Sequence, residues 1–214
     1  ITLHGWTSIS TDRYETSPNS LDIAIAAGTA VNLTSDLVNA PVADRAVVTL
    51  EYDTFESNGE PQRISNITGD ILAAYAGQVD IYAADGSGAG INIKGNLLSG
   101  NNGVLNVDLG TGGTLTGRAD DYGDAGVVEE GSDHANSPFF NPAFSSEIFK
   151  GGEVNLTMGA NSRWNVTGQS WITRITGTTG AIDDKTPVID LISANTDRNE
   201  HAHALTVYQL NGNA

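Results

Sequence analysis

Two short apolar alternations separated by a turn occupy Glu153 to Trp171, EVNLTMGANSRWNVTGQSW, and they constrain the fold more than any other stretch of the chain. Val154, Leu156 and Met158 alternate with Asn155 and Thr157, and Trp164 and Val166 alternate with Asn165 and Thr167. A period of two is that of a strand with one buried face, because successive side chains point to opposite sides. Gly159-Ala160-Asn161-Ser162 and Gly168-Gln169-Ser170 supply residues that turn the chain tightly. A chain of this kind winds in short strands and sharp corners.

The same texture recurs along the sequence. Val31 and Leu33, Val48 and Leu50, Ile67 and Ile71, Val79 and Ile81, and Ile91 and Ile93 each sit in an alternating run. Leu105, Val107 and Leu109, then Leu115, and finally Leu205 and Val207 extend the series, while around Val188 the apolar Ile189 and Leu191 leave the phase open. Ile67, Val79 and Ile91 fall twelve residues apart, and later runs follow at about ten to fourteen. Two all-β architectures have this spacing: a sandwich of hairpins, and a right-handed parallel β-helix (β-solenoid) with two or three strands in each coil. Hairpin dipeptides at Asn58-Gly59, Asp85-Gly86, Asn102-Gly103 and Asn211-Gly212 fit the sandwich. Outward Asn and Thr repeated in NLT, NIT, NIK and NVT fit stacked coils, where like residues lie above one another, and the β-helix is the architecture expected here.

At 214 residues the chain is long enough for a sizeable core, and a single stack over 1–214 is expected. The formal charge of −16 argues against nucleic acid or an anionic membrane as partner. Without cysteine there is no disulfide and no thiolate metal or redox site. No basic segment followed by an apolar one opens the sequence, and no run approaches the roughly 20 apolar residues of a membrane helix. Direct membrane insertion is therefore not expected, and the chain reads as a fragment of a larger product whose targeting signals lie elsewhere.

GEVNLTMGANSRWNVTGQSWITRI, preceded by LTGRADDYGDA and NPAFSSEI, resembles the C-terminal part of the passenger domain of Gram-negative autotransporters (type V secretion), in the pertactin-like and AIDA-like group. Leu205-Thr206-Val207-Tyr208-Gln209-Leu210-Asn211-Gly212 is similar to the segment near that family's cap, and the resemblance covers about Leu115 to Ala214. It implies a right-handed parallel β-helix exported to the cell surface through an outer-membrane barrel of the same polypeptide. It also implies a noncatalytic role: a stalk and folding template that supports adhesion or self-association, with a host or neighbouring-cell surface ligand as partner. A chain threaded unfolded through a barrel cannot carry preformed disulfides, which agrees with the missing cysteines. Such a passenger would continue past Ala214 into a final capping coil.

Arg118 to Gly152 interrupts the alternation and reads as a long excursion from the stack, with its acids in water and Phe139, Phe140 and Phe144 folded over a coil edge. Long loops often carry binding residues, which makes Asp120, Asp121, Tyr122, Asp124, Phe139, Phe140 and Phe144 the candidates. Asp120, Asp121 and Asp124, with Glu129 or Glu130, offer oxygen ligands of the kind calcium takes, but their spacing is not that of a calcium loop. His201 and His203 would share one side of a strand, without a third ligand in view. No metal and no cofactor is expected. Trp164 is in phase with Val166, the face of Trp171 is open and Trp6 has no clear alternation around it, and the core is the expected place for these aromatic residues. The N-x-[ST] motifs at Asn32, Asn66, Asn155 and Asn165 are read as repeating coil residues.

The alternative function is a carbohydrate-active β-helix enzyme, a polysaccharide lyase or glycoside hydrolase. Lys94 and Arg118 are a thin supply of bases for a lyase, and Asp120 with Asp124 is only a nominal carboxylate pair for a hydrolase. No G-x-S-x-G elbow occurs, and no catalytic residue is assigned.

Overall fold

A computed structural model describes residues 1–11, 23–28, 45–53, 55–57, 60–84, 89–100, 102–121, 151–178, 182–191 and 204–213. Among these residues every regular element is a strand and none is a helix. The first round of chain holds β1 (Thr2–Gly5), β2 (Ser8–Ser10) and β3 (Ile23–Ala27). The second holds β4 (Val47–Tyr52), a side pair β5 (Phe55–Ser57) and β6 (Glu60–Arg63), then β7 (Ser65–Thr68) and β8 (Asp70–Ala74). β9 (Gln78–Ala83), β10 (Ile91–Lys94) and β11 (Leu97–Gly100) form the third round. β12 (Val104–Asp108), β13 (Thr114–Gly117) and β14 (Ala119–Asp120) form the fourth. Beyond residue 150 come β15 (Glu153–Thr157), β16 (Arg163–Val166), β17 (Ser170–Thr176), β18 (Val188–Asp190) and β19 (Leu205–Asn211).

The strands sort into three stacked sheets. The first runs β1-β4-β9-β12-β15-β17-β19, the second β2-β7-β10-β13-β16-β18, and the third β3-β8-β11-β14. Each of the first four rounds visits the first, second and third sheet in that order. Every pairing within the three sheets is parallel, and β5 with β6 is the antiparallel exception among the described strands. This is the stacked alternative, not the hairpin sandwich. Asn102-Gly103 turns a corner from the third sheet to the first instead of reversing the chain, with Asn102 at a φ of 61° that Asn tolerates. Asn58-Gly59, between β5 and β6, and Asp85-Gly86 lie outside the described residues.

Register explains the core. On the first sheet Leu50, Ile81, Val107, Leu156 and Ile175 lie rung above rung, and on the second Ile67, Ile93, Leu115, Trp164 and Ile189 do the same. Ile71, Leu97 and Ala119 make the third row. The three rows contribute to one continuous apolar core. The first and second sheets thus bury one face and turn Asn, Thr and charged residues to the other, the alternation read from the sequence, whereas β11 of the third sheet is buried on both faces. Trp164 is fully buried and its indole N–H donates to Gly117 O at 3.0 Å. Trp171 is also buried, and Ile189, not Val188, is the inward residue of β18. Trp6 departs from expectation: it is 36% exposed and donates to Ile64 O, beside β1 and β2, which among the described residues are paired on one side only.

The corner between the second and third sheets repeats a local device. Gly69, Gly95 and Gly117 stack so closely that a Cβ on Gly95 would overlap the Gly69 carbonyl, and one on Gly117 the Gly95 carbonyl. The residues after Gly69 and Gly95 then each satisfy the backbone of the next round. Asp70 Oδ1 accepts Asn96 N–H at 2.8 Å across 26 residues, and Asn96 Oδ1 accepts Arg118 N–H at 3.0 Å across 22 residues.

Candidate functional site

The excursion expected over 118–152 begins later than the sequence indicates. Arg118 to Asp121 remain in the stack, with Ala119 and Asp120 pairing to Leu97 and Leu98. Gly152 N–H donates to Asp121 O at 2.8 Å, so the two ends of the intervening segment meet. Asp120 and Asp121, expected in water, are 4% and 3% exposed. Thr173 Oγ1 donates to Asp121 Oδ2 at 2.9 Å and itself accepts Val154 N–H, while Asp120 Oδ2 lies 3.9 Å from Arg118 Nη1. Both carboxylates are thereby joints of the stack, buried where chain leaves and rejoins it. Tyr122, Asp124, Phe139, Phe140 and Phe144 lie outside the described residues, as do Glu129, Glu130, His201 and His203. Among the described residues no group of three potential ligands is placed to hold a metal ion.

A different set of side chains converges on the outward face of the first sheet. Asp80, Asn106, Asn155 and Arg174 stand in register on β9, β12, β15 and β17, one per strand. Asp108, Thr157 and Thr176 follow one pleat further along, beside Tyr82. These residues line a groove of about 370 Å³. Parallel register across successive rounds is what assembles it, since Asp80 and Asn106 are 26 residues apart and Asn106 and Asn155 are 49 apart.

Hydrogen bonds fix one wall of the groove. Gln78 Nε2 donates to both oxygens of Asp80, at 3.0 and 2.8 Å, and Asn106 Nδ2 donates to Asp80 Oδ1 at 2.8 Å. Asn155 Nδ2 continues the chain to Asn106 Oδ1 at 3.0 Å. The relay stops there: Asn155 Oδ1 accepts nothing among the described residues, and the next rung, Arg174, turns its Nε to Gln209 Oε1 at 2.9 Å. Asp108 Oδ1 accepts Gly110 N–H at 2.8 Å. Beneath the groove the Tyr52 hydroxyl donates to Asp108 O at 2.8 Å, and burial first, then the nearby Asp108 charge, holds its phenol well above the usual tyrosine range.

Chemically, the groove offers acceptors at one end, a guanidinium at the other and carboxamides between, with Tyr82 at the rim 41% exposed. Such a surface can orient a polar ligand by hydrogen bonds. The alternating phase of QVDIYA, VLNVDLG and EVNLT places these residues outward, but their neighbours across rounds are not written in any local period. No family of known sequences, no curated protein and no solved structure matches this chain.

Proposed function

We propose that the chain is a noncatalytic segment of an exported surface protein, a right-handed parallel β-helix of the autotransporter-passenger type that serves as stalk and folding template. The observation that supports this most is the unbroken parallel pairing of the first sheet from β1 to β19. An array of this kind grows by adding rounds to an existing edge, and its stability is a sum of rounds and their interfaces. The 153–171 segment, with Trp164 and Val166 buried in register with Leu115 and Gly117, has the character of a round on which others assemble. The surface location, an outer-membrane barrel in the same polypeptide and a ligand on a host or neighbouring cell belong to the same proposal.

The competing carbohydrate-active enzyme has the groove carboxylates Asp80 and Asp108 in its favour. Both oxygens of Asp80 already accept hydrogen bonds, which suits a fixed wall better than a base or nucleophile. Truncation tests the stalk and template reading. A chain ending at Gly151 should be rapidly proteolysed and lose its cooperative urea transition, whereas the full chain keeps both resistance and cooperativity. A shortened chain as stable as the full one overturns the template.

A further inference from the structure

The groove on the first sheet has a composition that a bare stalk does not require. It crosses four adjacent strands, β9, β12, β15 and β17, and so extends over roughly 14 Å at the usual strand spacing. Its volume of about 370 Å³ suits a short, extended small molecule. Four polar side chains of the lining are anchored by hydrogen bonds: Asp80 by Gln78 and Asn106, Asn106 by Asp80 and Asn155, Asp108 by Gly110 and Arg174 by Gln209. Anchoring of this sort sets donors and acceptors before a ligand arrives, which lowers the ordering cost of binding.

The chemistry narrows the occupant. Among the described residues the terminal guanidinium nitrogens of Arg174 meet no acceptor and remain donors, and the second oxygen of Asp108 remains an acceptor. Thr157 and Thr176 add hydroxyls, and the exposed Tyr82 adds an aromatic face. Donors, acceptors and a ring face arranged along a shallow groove match vicinal hydroxyls and the C–H faces of sugar rings. Two carboxylates in the lining and a chain charge of −16 oppose polyanions, uronates and nucleic acids. The strands beneath the groove are paired on both sides, so a peptide would find no free edge to extend.

We infer that the groove between Tyr82 and Arg174 binds a neutral oligosaccharide of about two or three sugar units. This rests on the noncatalytic surface reading only for its biological setting, since the groove exists wherever the protein resides. The test titrates the full chain with maltotriose, cellotriose, mannotriose and trigalacturonate, using calorimetry and saturation-transfer NMR, and inspects each mixture for cleavage products. At least one neutral trisaccharide should bind saturably, and trigalacturonate about tenfold more weakly or not at all. Tyr82→Ala and Arg174→Ala should each weaken that binding by about tenfold or more with an unchanged melting temperature, as expected for exposed hot-spot residues. Lys94→Ala, on the second sheet, should leave it unchanged. Absence of saturable binding by all three neutral sugars overturns the inference, as does binding that survives both groove substitutions. Cleavage of a bound sugar supports the site and overturns only the noncatalytic reading, while failure of the truncation test leaves the site standing.

Discussion

Trp164 occupies a rung that its neighbours fill with aliphatic side chains, Leu115 on one side and Ile189 on the other. It is held twice, by complete burial and by the indole N–H on Gly117 O. Trp164→Ala should therefore cost about 3–5 kcal/mol in urea unfolding, because it opens a cavity and leaves a carbonyl unpaired. Tyr52 makes a different prediction. Its phenol is buried and its pKa is raised above the ordinary 10.0, so the folded protein keeps a proton that the unfolded chain gives up. That stability is fully present below pH 10 and falls above it, by about 1.4 kcal/mol for each further pH unit. Tyr52→Phe should lower stability by about 1 kcal/mol at neutral pH through the lost hydrogen bond to Asp108 O, and flatten the alkaline decline. Urea titrations at neutral and alkaline pH measure both effects.

At the scale of elements, the hydrogen bond from Gly152 N–H to Asp121 O and the bridge between Gly100 and Gly151 join the stack across the two ends of residues 122–150. Replacing 122–150 by a two-residue turn should change stability by less than about 1 kcal/mol and leave the circular dichroism spectrum of the strands in place. A large loss would show that the stack depends on the segment. Strands and buried faces were legible in the sequence because period two depends only on local alternation, and Val154, Leu156, Trp164 and Val166 all fall inward as that period requires. The start of the excursion was misplaced at Arg118. The corner TGR at 116–118 repeats TGD at 68–70 and KGN at 94–96, a signal that assigns Arg118 to the stack. The groove was illegible for a stronger reason. Its rungs belong to rounds of unequal length, with Asp80 and Asn106 separated by 26 residues but Asn92 and Thr114 by 22, and only three-dimensional register brings them together. The burial of Asp121 was equally hidden, since its carboxylate meets Thr173 from a later round.

Across the described residues, each inner strand of the first sheet is paired on both sides, and β1 and β19 are paired on one. Exposure follows this order: Leu3 on β1 is 41% exposed and Leu210 on β19 is 57% exposed, while Val107 in the middle of the same row is 2% exposed. Amide hydrogen exchange should show a gradient, slowest in β9, β10, β12 and β13 and fastest in β1 and β19. Uniform protection along the stack would instead indicate a single all-or-none unit. The same arrangement governs how the protein bears mechanical load. Interstrand hydrogen bonds point from one round to the next. A pull that separates the two ends of the stack therefore loads these bonds in tension, one strand pair after another, instead of shearing a whole sheet at once. Three sheets around one core resist bending, yet the molecule yields lengthwise in steps of about one round. Each detached strand leaves behind an intact edge on which it can pair again, so a stack built this way should recover its length after a pull.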